Sequence, residues 1–125
     1  MENKRYAIGI DLGGTFIKFA LVSDSGEIGF TSKLSIGSSA TRDDILETIR
    51  KAIDMSLESA SQKNLPVSGI GIGSPGVCCD GVVVGGADNL NGWVDVHLSE
   101  IFSEKFKLPV LIDNDANVMG LGEAV

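Results

Sequence analysis

Apolar residues recur along the chain with two different periods, and each period predicts a different kind of element. Short apolar runs bounded by turn residues predict β-strands. The first three runs follow one another through short turns, so they predict a meander of antiparallel strands. The runs are "RYAIGIDLGG" (Arg5–Gly14), "TFIKFALVS" (Thr15–Ser23), "IGFTSKLSI" (Ile28–Ile36), "VSGIGIGS" (Val67–Ser74) and "LPVLID" (Leu108–Asp113).

Helical spacing of apolar residues appears between these runs. Thr41 is a good N-cap for a first helix, and the helix should end near Asn64 because Pro66 follows. A short amphipathic helix is predicted over Leu98–Phe106, and "ANVMGLGEAV" (116–125) begins another. Between them, "GVCCDGVVV" (76–84) predicts a hairpin that turns at Asp80-Gly81.

The order of these elements predicts the fold class. Strands that alternate with helices after an antiparallel start indicate a mixed α/β sheet with helices on both faces. The chain has 125 residues, the size of one domain, and no linker or internal repeat divides it.

Composition and charge narrow the class of protein. The net charge of −7 disfavours nucleic acid as a partner, because an acidic surface repels the phosphate backbone. No signal sequence and no run of about 18 apolar residues is present, so we expect a cytoplasmic chain with no membrane span. Cys78 and Cys79 are neighbours with no second cluster, and we interpret them as reduced packing residues.

The stretch "GIDLGGTFIK" (Gly9–Lys18) has the residues of a phosphate-binding turn. Gly13 and Gly14 allow a tight turn and a close approach of the backbone to a ligand. Thr15 and Lys18 add a hydroxyl and a positive charge, and Asp11 can hold Mg²⁺ directly or through water. The alternative is a plain hairpin with glycines for geometry. The P-loop spacing is absent.

A glycine-rich stretch and an asparagine-containing stretch both predict loops. "GIGSPG" (71–76) fits the dinucleotide fingerprint, but the β-branched residues that follow predict a hairpin, so we favour a loop that lines a ligand. In "ADNLNGW" (87–93), Asn89 and Asn91 can bond sugar hydroxyls. Trp93 is expected in the core rather than under a sugar.

"LIDNDAN" (111–117) carries more polar residues than one helix cap requires. Asp113 or Asn114 can cap the last predicted helix, which leaves Asp115 unexplained. A carboxylate in the first turn of a helix stays ionised and can accept a proton from a bound alcohol. The alternative is a polar capped helix start. His97 has no partner pattern, and we expect it to be solvated or to cap a helix.

Four of these stretches together resemble the amino-terminal half of the ROK family of sugar kinases, repressors and open reading frames. They are "IGIDLGGTFIKFALV", "GIGSPGV", "NLNGW" and "LPVLIDNDANVMGLGEA", and they occur in family order over nearly the whole chain. The resemblance implies a ribonuclease H-like domain of the actin-like, hexokinase-like ATPase superfamily, spanning residues 1–125.

The resemblance also implies roles for individual residues. Gly13, Gly14 and Thr15 would wrap the ATP phosphates, with Asp11 near Mg²⁺; Lys18 belongs to the same stretch. Asp115 would be the general base that takes the proton from the sugar hydroxyl. Asn89, Asn114 and Asp115 would bond the sugar, and Gly76 would line its pocket.

The function that follows is ATP-dependent phosphorylation of a hexose or N-acetylhexosamine. The family's adenosine-binding segment and zinc motif lie downstream, so zinc is expected only in a carboxyl-terminal half that this chain lacks. We expect the isolated domain to be inactive, and we expect the full-length protein to be capable of forming a homodimer. One alternative is a sugar-responsive transcriptional regulator. It is disfavoured because "GIDLGGT" begins at residue 9, which leaves no room before it for the winged-helix domain of the family's repressors. The other alternative is an actin-like ATPase without a sugar substrate.

Overall fold

The computed structural model describes residues 5–13, 15–36, 41–74, 77–79, 81–85, 93 and 95–113. Seven strands and two helices lie in these ranges. In chain order they are β1 (Tyr6–Leu12), β2 (Phe16–Ser23), β3 (Ile28–Ser35), α1 (Arg42–Gln62), β4 (Val67–Gly73), β5 (Val77–Cys79), β6 (Val82–Gly85), α2 (Leu98–Phe106) and β7 (Val110–Asp113).

Five of the strands form one mixed sheet in the order β3-β2-β1-β4-β7. The pairs β1–β2 and β2–β3 are antiparallel, and β4 pairs in parallel with both β1 and β7. The α/β class, the mixed sheet and its three antiparallel amino-terminal strands are therefore confirmed. The separate hairpin of β5 and β6 is confirmed as well, with Gly81 at φ +81° in its turn.

One face of the sheet carries the core. Alternate residues of β1 and β2 point to this face, and Ile8, Ile10, Ile17 and Phe19 are fully buried there. Helix α1 covers them with one stripe at helical spacing, formed by Ile45, Ile49, Ala52 and Ile53.

Helix α1 begins where its sequence predicts. The Thr41 hydroxyl accepts a hydrogen bond from the Asp44 amide, and the Asp44 carboxylate accepts one from the Thr41 amide, which together form a capping box. The hydrogen bond from the Thr41 backbone lowers the pKa of Asp44. The helix ends at Gln62, and Asn64 turns the chain with φ 56° before Pro66.

Helix α2 packs on the same face as α1. Val110 of β7 is 7% exposed, whereas Leu111, which points to the opposite face, is 59% exposed. Leu98 and Phe102 of α2 belong to the same buried core cluster as the apolar stripe of α1. The helix predicted over 116–125 lies outside the described residues, so the prediction of a helix on the second face stays a prediction.

The second face of the sheet carries small residues at its centre, where Ala7 pairs with Gly69 and Gly9 pairs with Gly71. A cavity of about 320 Å³ lies there at the amino-terminal ends of the parallel strands, and its lining includes Arg5, Ala7, Val22, Gly69 and Leu111. Within the part of the chain that the structure describes, no helix is long and apolar enough to span a membrane.

Ile10 at the centre of the core tests this packing. Ile10→Ala should lower the free energy of unfolding by about 2–5 kcal/mol, since the fully buried side chain leaves a cavity. Ile28→Ala is the control, because Ile28 is 66% exposed, and its change should stay within about 0.5 kcal/mol. Urea titration of the 125-residue chain followed by circular dichroism measures both. Equal losses would contradict the placement of the core.

Candidate functional site

The register of the sheet brings Asp11 of the "GIDLGGTFIK" stretch and Asp113 of the "LIDNDAN" stretch to the same end of the sheet. Asp11 of β1 lies opposite Gly73 of β4, and Gly73 lies opposite Asp113 of β7. Because these strands are parallel, all three residues lie at the carboxyl ends of their strands. Two interstrand steps place the Cα atoms of Asp11 and Asp113 about 10 Å apart. Ligands of open α/β sheets bind at such an edge.

The turn between β1 and β2 is held at both ends by backbone hydrogen bonds. The Gly13 amide donates to the carbonyl of Phe16 at 2.9 Å, and the Ile36 amide donates to the carbonyl of Thr15 at 2.8 Å. A Cβ atom on Gly13 would lie 3.0 Å from the Phe16 carbonyl oxygen, so a larger residue would require the turn to shift by a few tenths of an ångström. The glycine therefore allows the tight turn that its sequence predicted.

A cavity of about 240 Å³ opens beside this turn. It is lined by Asp11, Gly13, Thr15, Phe16 and Lys18. Four of the five residues were predicted as phosphate-site residues, and the fold brings them together. The sequence analysis did not predict that Phe16 lines this cavity. A large apolar residue at the first position of a strand, here 42% exposed, is the pattern that could have indicated it.

The donor set of this cavity suits Mg²⁺ bound to phosphates. Asp11 is half-buried and supplies carboxylate oxygens, the hard ligands that Mg²⁺ prefers. Among the described residues, no three His, Cys, Asp or Glu side chains come together as a metal site. A single carboxylate such as that of Asp11 suits a Mg²⁺ ion that takes its other ligands from waters and phosphate oxygens, as Mg²⁺ commonly does beside a substrate phosphate.

A buried hydrogen bond anchors a second segment to the same edge. Ser74 follows the last residue of β4 and is 1% exposed, and Trp93 is 2% exposed. The Trp93 indole N–H donates to the Ser74 hydroxyl oxygen at 2.8 Å. The prediction that Trp93 lies in the core is confirmed, and the contact ties the end of the "NLNGW" stretch to the end of β4.

The structure also bears on two motifs that were set aside. A strand, β5, follows "GIGSPG", and a strand, β2, follows "DLGGT". Neither stretch opens a helix, so the dinucleotide fingerprint and the P-loop are both excluded. His97 occupies the N-cap position of α2 without a side-chain cap hydrogen bond, and its side chain is 49% exposed beside Asp95, as predicted for a solvated histidine.

Five predicted site residues lie outside the described residues. They are Gly14, Gly76, Asn89, Asn114 and Asp115. Their roles stay predictions. The described backbone reaches Asp113, which lies in the same row of paired residues as Asp11 and directly precedes Asn114 in the sequence.

Known proteins share this sequence pattern. A sequence profile described as the ROK family matches residues 7–125. A glucokinase of Halalkalibacterium halodurans is 36% identical over 120 residues, which cover 95% of this chain and 36% of that protein. A xylose repressor of Caldicellulosiruptor bescii is 38% identical over 117 residues, which cover 93% of this chain and 29% of that protein. The chain thus spans about a third of the length of these relatives.

Solved structures share the fold. A ROK family glucokinase from Streptomyces griseus, in complex with glucose and AMPPNP, superposes with a TM-score of 0.74 at 30% identity, over 90% of this chain and 34% of that chain. An inorganic polyphosphate/ATP-glucomannokinase from Arthrobacter sp. strain KM superposes with a TM-score of 0.75 at 28% identity, over 96% of this chain and 48% of that chain. The fold is therefore that of the actin-like ROK kinases.

The Ser74–Trp93 hydrogen bond should contribute to stability. Ser74→Ala leaves the buried indole N–H without this acceptor, so we expect the free energy of unfolding to fall by about 1–3 kcal/mol. The loss should shrink in a Trp93→Phe background, because the donor is then absent as well. Ser35→Ala, at the exposed end of β3, is the control. Urea titration followed by circular dichroism measures all four variants, and the same loss in both backgrounds would contradict the coupling.

Proposed function

Because the chain belongs to the ROK family, we propose that it forms the amino-terminal, ribonuclease H-like domain of an ATP-dependent sugar kinase. The observation that carries the proposal is the row Asp11–Gly73–Asp113 at the carboxyl edge of the sheet. One end of this row carries the phosphate-type turn, and the other leads directly into the polar stretch. A kinase requires both a phosphate site and an acceptor site within reach of each other.

The turn between β1 and β2 would hold the phosphates of the donor. Gly13, Gly14 and Thr15 would wrap the phosphates, with the Thr15 hydroxyl and the Lys18 ammonium beside them. The Gly13 amide itself donates to the Phe16 carbonyl and closes the turn, so Gly13 would contribute through its small size. Asp11 would position Mg²⁺, which when bound neutralises charge on the phosphates. This part of the proposal is supported by the cavity that Asp11, Gly13, Thr15 and Lys18 line together.

The stretch after β7 would hold the sugar. We assign Asp115 as the general base, with Asn114 and Asn89 as hydrogen-bonding partners of the sugar hydroxyls and Gly76 as a backbone wall of the pocket. A sugar hydroxyl is a weak acid, so a base within hydrogen-bond reach is needed as the new bond forms. The register position of Asp113, two residues before Asp115, supports this assignment.

The acceptor class that we propose is a hexose or an N-acetylhexosamine. The Streptomyces griseus relative binds glucose together with a non-hydrolysable analogue of ATP. ATP is the donor that we propose here. The name of the Arthrobacter relative gives inorganic polyphosphate beside ATP. Polyphosphate is a second donor for this chain under the proposal, because a turn that contacts only phosphates does not require a nucleobase.

A sugar-responsive regulator is the second candidate. The xylose repressor relative is 38% identical to this chain, and the glucokinase relative is 36% identical. Sequence similarity alone therefore does not separate the two activities. The acidic net charge of −7 favours the kinase, since this domain adds no attraction to DNA.

Replacement of Asp115 tests the kinase proposal. In the full-length protein with ATP, Mg²⁺ and a panel of hexoses and N-acetylhexosamines, Asp115→Asn should lower kcat by about 10²–10⁴-fold, because the base is lost while the shape is kept. Asp95→Asn is the control, since its side chain is 79% exposed. If the wild type and Asp115→Asn form equally little sugar phosphate, the proposal is wrong.

DNA binding decides between the two candidates. A gel shift of the full-length protein on the promoter of its own gene should show no sugar-dependent complex if the protein is a kinase alone. A specific complex released by sugar, together with no sugar phosphate in the kinase assay, would establish the regulator instead.

A further inference from the structure

The hairpin of β5 and β6 lies outside the five-stranded sheet, so other contacts must fix its position. The two strands form a separate two-stranded sheet. In the sequence, Gly76 directly precedes β5, and Asn89 lies between β6 and Trp93. Gly76 and Asn89 both belong to the sugar pocket of the proposed function. The contacts that hold this hairpin therefore bear on one side of the proposed acceptor site.

The hairpin is attached to the segment that begins α2. Val83 of β6 and Val96 exchange two backbone hydrogen bonds, at 2.8 and 2.9 Å, and both residues are fully buried. At the turn of the hairpin, the Ser99 amide donates to the Gly81 carbonyl at 3.1 Å. Ser99 lies in the first turn of α2, where backbone amides have no partner within the helix. The start of α2 therefore holds the hairpin at its turn.

Gly81 packs against Ser99 with no room for a side chain between them. Gly81 has φ +81°, and a Cβ atom on it would lie 2.5 Å from the Cβ atom of Ser99. Non-bonded carbon atoms pack at about 3.5–4.0 Å, so a larger residue at this position would displace the turn from α2. The hydrogen bond and the close approach together fix the hairpin turn on Ser99.

The hydroxyl of the same serine binds β7. The Ser99 hydroxyl donates to the Val110 carbonyl oxygen at 2.8 Å. On the other side of β7, the Ile70 amide of β4 donates to the Pro109 carbonyl. Successive carbonyls of a strand point to opposite edges, so the Val110 carbonyl points away from β4. Ser99 thus binds β7, the last strand in the sheet order, along the edge that β4 does not occupy.

We propose that Ser99 is a positioning residue of the acceptor site, which holds the hairpin and β7 at a fixed separation. The inference rests on the proposed kinase function. Under that function the sugar contacts Gly76 and Asn89, which flank the hairpin in the sequence, and also Asn114 and Asp115, which follow β7. Ser99 binds both elements, the hairpin through its amide and β7 through its hydroxyl. A change in their separation would therefore weaken several sugar contacts at once.

The effect should fall on the sugar and not on the phosphate donor. The turn between β1 and β2 is closed by its own hydrogen bonds, from the Gly13 amide to Phe16 and from the Ile36 amide to Thr15. Neither bond involves Ser99. Misplacement of a binding group by about 1 Å can cost about 10²-fold in rate, so a small shift of the hairpin is enough to be measured.

Substrate kinetics of the full-length protein test the proposal. Ser99→Ala removes the hydrogen bond to β7, so it should raise the KM for the hexose or N-acetylhexosamine that the wild type uses best on the order of tenfold. The KM for ATP should stay unchanged. Ser103→Ala is the matched control, because Ser103 lies on the same helix and its hydroxyl donates to the Glu100 carbonyl within α2. This control should change neither KM.

Gly81→Ala tests the same contact from the side of the hairpin. The added methyl group should displace the turn and raise the KM for the sugar, again with the KM for ATP unchanged. In a Ser99→Gly background the opposing Cβ atom is absent, so Gly81→Ala should raise the sugar KM by a smaller factor than in the wild type. The same factor in both backgrounds would show that Gly81 and Ser99 act independently, which overturns the proposal.

Two further outcomes decide against the role of Ser99. Equal sugar KM values of the wild type and Ser99→Ala overturn it. An equal rise in the KM for sugar and for ATP also overturns it, because a residue that positions only the acceptor site does not affect the donor.

A binding measurement separates failure of this proposal from failure of the kinase function. If the wild type forms no sugar phosphate with any sugar of the panel, the kinase function fails by itself. Calorimetric titration with the same sugars then decides the role of Ser99. Weaker binding to Ser99→Ala than to the wild type supports it, whereas equal binding, or binding to neither protein, overturns it.

Discussion

Backbone hydrogen bonding between parallel strands is the constraint on which the candidate site depends. Strands β1, β4 and β7 end at one edge because they run in the same direction, and their register aligns Asp11, Gly73 and Asp113. A slip of one residue in any pair would turn every side chain of that strand to the other face. Burial of the alternate residues Ile8, Ile10, Ile70 and Ile72 prevents such a slip, so the core fixes the geometry of the site.

The elements of the fold were largely predictable because their signals are local. Thr41 is the N-cap of α1, as its sequence predicted, and α2 spans the predicted residues Leu98–Phe106. The Asp80-Gly81 pair alone predicted the turn of the hairpin, in which Gly81 has a positive φ. Small differences have simple causes: β7 begins at Val110 rather than Leu108, since Pro109 has no amide to donate to a neighbouring strand.

The site was only partly predictable because its remaining features depend on pairing. Asp11, Gly13, Thr15 and Lys18 are close in sequence, and a turn suffices to bring them together. The row of Asp11, Gly73 and Asp113 follows from the register of three strands that are far apart in the sequence. The Ser74–Trp93 contact joins residues 19 positions apart, and only the folded chain shows that the hydroxyl is the partner of the indole.

The buried indole has a spectroscopic consequence. Trp93 is the only tryptophan of the sequence, and its side chain is 2% exposed. Its indole N–H donates to the hydroxyl of Ser74, the residue that follows β4. Indole emission depends on the polarity and hydrogen bonding around the ring. Tryptophan fluorescence of this domain therefore originates from one place at the edge of the site, and the chain carries a built-in optical reporter of events there.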